Sequence, residues 1–144
     1  AMSYPGVSAS GPTTIIGVVM ITAIYAAILA VMYVMLALAV VRQRFKLRVG
    51  LGDGQQPELI KAIRIHGNFA EYVPLLLVIM LIAEQQQAAA WQIHLLGALT
   101  LGGRLLHLTG LSRSSGTSIP RFLGMIATFT ALLCGAAFLL LPLW

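Results

Sequence analysis

The sequence predicts an all-α integral membrane protein, a bundle of four transmembrane helices, and three observations predict it. Charged residues make up only 9% of the 144 residues, and 59% are hydrophobic, whereas a soluble domain carries about 25% charged residues. A spanning helix needs roughly 20 residues, so four spans with short loops take up nearly all of the chain as one membrane domain. The net charge is +5, but the cations flank apolar runs instead of lining a polar face. That placement suits membrane loops and argues against nucleic acid as a partner.

The first span reads from about Thr13 to Val41, and the cluster Arg42, Arg44, Lys46 and Arg48 ends it. It is not a cleaved signal peptide, because no basic segment precedes it and four cations follow it. Ala1 ahead of Met2 reads as an addition to the natural start. The loop LRVGLGDGQQ follows, and Pro57 is suited to open the next helix. That second span, about 57–84, has an apolar part of only Val73 to Ala83, so crossing draws Asn68 and Glu71 to membrane depth. Pro74 predicts a kink there. The third span, about 88–111, carries Gly97, Gly102 and Gly103, small residues that permit close helix contact. The fourth, about 119–141, follows the polar connection SRSSGTSIPR.

Chemistry concentrates on the second and third helices. Arg64, Asn68 and Glu71 are spaced i, i+4, i+7, which places them within about 60° of one another on one helix face. Ionisable groups at such depth face a bundle interior or a wet cavity. Arg104 and His107 follow at i, i+3 on the third helix. One reading of the stripe is an Arg64–Glu71 pair that holds helices together; the other is a site for a polar ligand. His66, His94 and His107 are too scattered to predict a metal site, and Cys134 is alone. GLGDG lacks the lysine of a phosphate loop. Arg44, Arg64, Arg104, Arg113 and Arg121 gather toward one membrane face, and arginine pairs well with carboxylates and phosphates. The residues alone thus reach a site for a small anion bordered by lipid. Three alternatives stay open on that basis: an enzyme of lipid-soluble substrates, a proton-coupled multidrug exporter using Glu71, and a structural helix assembly.

The run RIHGNFAEYVP, from Arg64 to Pro74, resembles the second-helix signature of the MAPEG superfamily, the membrane-associated proteins of eicosanoid and glutathione metabolism. An Arg, an Asn one turn on, then a Glu, an aromatic residue and a Pro recur there in this order. Arg104 with His107 and the basic end of the first span are similar too, and the GLGDG loop looks like bacterial members. The resemblance implies a homotrimer that binds glutathione, as co-substrate, between subunits near the cytoplasmic side. Arg44, Arg64, Asn68, Glu71, Tyr72, Arg104 and His107 would then contact or orient it. Arg113 would position a carboxylate at most, and Arg121 would stabilise the thiolate. The implied activity is that of a glutathione transferase acting on lipophilic electrophiles, with reduction of lipid hydroperoxides as a side reaction. Two departures stand out. Leu111 replaces an expected Tyr, which keeps a glutathione-binding protein of vestigial activity as an alternative, and Phe122 replaces the Ser of the prostaglandin-forming branch.

The basic first and third connections place both termini outside a bacterial inner membrane and the site toward the cytoplasm. Single cysteines at Gln55 and Gln86 in a Cys134→Ala background are therefore expected to react with an impermeant maleimide from opposite sides. Labelling of both from one side would break this topology.

Overall fold

The computed structural model describes residues 20–113 and 119–141, and the side chains of 20–109 and 119–141. Its four helices are α1 (Ile21–Leu47), α2 (Pro57–Gln85), α3 (Ala90–Arg113) and α4 (Ile119–Leu140). There is no strand among the described residues. By length and composition α1, α2 and α4 could each cross a membrane. In α3, Gln92, His94, Arg104 and His107 dilute the apolar character that the other three have.

Local chemistry explains the boundaries. α1 continues past the expected end of the apolar span at Val41, through the basic cluster to Leu47. Arg, Gln and Lys are good helix formers, and cations in a last turn offset the negative helix end. The chain leaves α1 at Arg48, which is left-handed (φ 56°, ψ 42°); the Val49 N–H then returns to the Arg44 carbonyl at 3.1 Å. Residues 13–19 of the expected first span lie outside the described residues. In the connecting loop, Gly54 is required: its φ is +57°, and a Cβ would sit 2.7 Å from Val49. Pro57 occupies the first turn of α2, where its missing N–H costs nothing. Despite Pro74, α2 is one continuous helix, and the Ala70 carbonyl is offered no donor by the proline nitrogen. At α3, the Gln92 side chain accepts from the Ala89 N–H at 2.9 Å, one arm of a capping box.

Two contacts hold the end of the bundle remote from Arg44. The Glu84 carboxylate accepts the first free N–H groups of α1, from Ile21 at 2.5 Å and Thr22 at 2.8 Å. These donors have no partner within the helix, and a carboxylate also complements the positive helix end. Tyr25 shares a 3.0 Å hydrogen bond with His94 Nδ1, joining α1 to α3.

Packing differs sharply among the helices. α1 packs on α2 and α3 but not on α4, and α3 with α4 forms the closest pair. Glycine makes that closeness possible. A Cβ on Gly124 would lie 2.6 Å from the Gly103 carbonyl and 2.7 Å from the His107 nitrogen. Gly97 instead receives the Tyr25 ring, whereas Gly102 faces open space. Leu29, Phe69 and Val73 form one apolar cluster between α1 and α2, and Met80, Ile93 and Leu96 form another between α2 and α3.

Gly124→Ala is therefore expected to lower thermal stability in detergent by about 1–3 kcal/mol, since backbone must yield. Gly102→Ala meets nothing and gains up to about 1 kcal/mol of helix propensity. Equal melting temperatures for the two variants would show that α3 and α4 do not approach through Gly124.

Candidate functional site

Arg104 is the centre of the polar arrangement. It lies nine residues before the end of α3, which is about 13 Å of helix, and only 2% of its surface is exposed. Its Nη1 donates to Asn68 Oδ1 on α2, and its Nη2 donates to Thr128 Oγ1 on α4 at 3.2 Å. Nη2 also meets the Met125 sulfur at 3.6 Å. The Tyr72 ring lies 5.9 Å from the guanidinium carbon, within the range of a cation–π contact. The Arg104 Nε is buried with no hydrogen-bond partner among the described residues. One cation thus ties three helices together through neutral acceptors.

The register of these contacts follows from the sequence. Counted from the same end of the bundle, Asn68 and Thr128 stand about 16 and 13 Å along their helices, level with Arg104. Thr128 also donates to the Gly124 carbonyl at 2.9 Å, so its hydroxyl oxygen is turned toward Arg104. Tyr72 is held edge-on against Phe129, with centroids 5.9 Å apart.

Below this level the site becomes more positive. His107 is 4% exposed, and the charges of Arg104, Arg121 and Arg64 all act on its ring. These arginines come from α3, α4 and α2, so residues distant in sequence converge. Arg64 and Glu71 stand 3.9 Å apart with their side chains 58% and 56% exposed. Glu71 is thus not the lone carboxylate that the exporter reading requires. Both ends of this pair lie on the outside of the single chain.

The nine expected site residues therefore divide. Arg64, Asn68, Glu71, Tyr72, Arg104, His107 and Arg121 belong to one region, but in different ways. Arg104 and His107 are enclosed, and the Asn68 oxygen is taken up by Arg104. Arg64 and Glu71 remain open. Arg44 is elsewhere: its Nη1 donates to the carbonyls of Gly52 at 2.7 Å and Val49 at 3.3 Å, bracing its own loop. The side chains of Arg113 and Leu111 fall outside the described residues. Thr128 and Met125 were not anticipated. Their signal was present, since Arg121, Gly124 and Thr128 are spaced i, i+3, i+7 on one face of α4.

The sequence profile of the MAPEG family matches residues 22–141. The chain is 42% identical to the inner membrane protein YecN of Escherichia coli K12 over 114 residues, 79% of this chain and 86% of that one. The protein of the same name from Escherichia coli O6:H1 matches equally. No solved structure matches.

Arg104→Lys keeps the charge but cannot reach acceptors on two helices with a planar fork. It is expected to cost about 2–4 kcal/mol of stability in thermal unfolding, because at least one charge-assisted bond is lost in a buried site. Unchanged unfolding would mean that Arg104 does not hold the helices.

Proposed function

The chain belongs to the MAPEG family, and on that premise we propose that it is a glutathione transferase of the bacterial inner membrane, conjugating glutathione to lipophilic electrophiles. The observation that carries this reading is the buried Arg104 cluster with Asn68, Tyr72 and Thr128, with Arg64 and Arg121 within electrostatic range of the neighbouring His107 and Glu71 beside Arg64. Positive side chains outnumber the one carboxylate in this region, and an ionisable group at membrane depth is functional by default. Glutathione complements it, with two carboxylates for arginines and one ammonium for Glu71. It also supplies a thiol, which suits a chain whose single cysteine, Cys134, lies away from these arginines.

The exposure of Arg64 and Glu71 supports a homotrimer of four-span subunits with the ligand between copies. A charged pair turned to hydrocarbon is unfavourable, and a second copy of the chain would enclose it. Glutathione would then approach from the cytoplasm, with both termini outside. The apolar second substrate would arrive through the lipid. YecN carries the inner membrane in its name, and the helices here are long and apolar enough for such a location.

In this reading Arg64 and the Asn68 amide hold the peptide, while Arg104 positions Asn68 and Tyr72. Arg121, the third residue of α4, faces the thiol. A cation at the lipid boundary, aided by the positive end of α4, favours the thiolate. The thiol proton passes to water, the sulfur lone pair forms the S–C bond, and the leaving group departs with its electrons.

Calorimetric titration is expected to show millimolar or tighter glutathione binding, weakened about 10-fold or more in Arg64→Ala through loss of a charge-assisted contact. Arg121→Ala should retain much of the binding and lose the thiolate absorbance near the ultraviolet edge, together with conjugation of an aromatic halide. Absence of any glutathione heat in the wild type would remove this reading.

A further inference from the structure

The cations after Val41 do more than mark a membrane face. Val41, Arg44, Phe45, Arg48, Val49 and Gly50 enclose an open cleft of about 410 Å³ where α1 ends. Its lining combines two arginines with two valines and a phenylalanine. Arg44 is immobilised through one nitrogen, Nη1, by the carbonyls of Gly52 and Val49. Its Nη2 and Nε have no partner among the described residues, so donors remain for a ligand. Arg48 occupies the left-handed turn that closes the helix, a conformation that glycine takes without strain and arginine does not. Phe45 is 81% exposed, an apolar ring that no described residue covers.

We infer that this cleft binds the phosphodiester headgroup of an anionic membrane lipid. The two arginines grip the phosphate, and Phe45 with Val41 lies along the first methylenes of an acyl chain. The chemistry fits in three respects. Guanidinium groups bind phosphate oxygens in pairs. The cleft stands at the end of a long apolar helix, the level at which lipid headgroups lie. Its apolar wall would have no role if the ligand were a free anion. Arg42 and Lys46 belong to the same basic segment but do not line the cleft. They add only diffuse attraction, which separates a built site from general affinity for a negative surface. The cleft shares no lining residue with the cluster of Arg104, Asn68, Tyr72 and Thr128.

The test is native mass spectrometry of the detergent-solubilised full chain, titrated with phosphatidylglycerol. A parallel titration uses phosphatidylcholine, and inorganic phosphate serves as competitor. Preferential retention of phosphatidylglycerol is expected, unaffected by millimolar inorganic phosphate. Arg48→Asn removes the charge yet keeps a residue that tolerates the left-handed turn, and it should weaken retention at least fivefold. Phe45→Ala disturbs no packing and should weaken it too. Arg42→Gln, which lowers net charge by the same amount, should have little effect. Equal retention of the two lipids would overturn the inference, as would equal losses in Arg42→Gln and Arg48→Asn. Displacement by inorganic phosphate would assign the cleft to a soluble anion and so contradict a lipid.

Discussion

A guanidinium buried between three helices constrains everything else in this bundle. Removing a cation from water costs several kcal/mol even after relaxation, and Arg104 has no carboxylate at hand to offset it. It is compensated by bonds to Asn68 and Thr128, each worth about 1.5–3 kcal/mol when one partner is charged, and by the Tyr72 ring. Those bonds exist only if α2, α3 and α4 stand at one vertical register. Hydrophobic packing cannot supply that selectivity in lipid, because sliding one apolar helix past another exchanges like for like. The polar contact sets the register, and the glycine approach of Gly103 to Gly124 then brings α4 close enough for Thr128 to reach it.

Much of this was legible in the sequence, and the limits have physical causes. Helix number and the location of the polar stripe follow from composition and spacing, because water-exposed and lipid-exposed segments differ so strongly in residue type. α1 outlasts the apolar span because hydropathy reports where hydrocarbon stops, whereas a helix stops where its hydrogen bonds are capped. Arg42, Arg44 and Lys46 halt the first and not the second. Asn68 and Arg104 were both anticipated as ligand contacts. Their bond to each other was not, since they lie 36 residues apart and only the folded register joins them. Thr128 escaped notice because a threonine in an apolar helix commonly bonds its own backbone, which this one also does.

The same arrangement explains why so few polar residues can support a site in lipid. Asn68 and Arg104 consume each other's strongest groups and thereby fix Tyr72. Arg64 and Glu71 stay open on the surface of the single chain. Exposure of the Arg64–Glu71 pair on a single chain is uneconomic for a monomer and sensible for a surface that another copy covers. At the opposite end Glu84 caps α1 and Tyr25 meets His94, so these polar groups find partners within the chain.

The central claim is that Arg104 couples α2 to α4. Asn68 and Thr128 meet through its guanidinium, on Nη1 and Nη2 respectively. A double-mutant cycle of Asn68→Ala and Thr128→Val, read by reversible unfolding in detergent, measures that coupling directly. Each single change leaves the buried cation short of one acceptor. The account predicts that the two effects are non-additive, with an interaction energy of about 1 kcal/mol or more. Strict additivity within about 0.3 kcal/mol would contradict it.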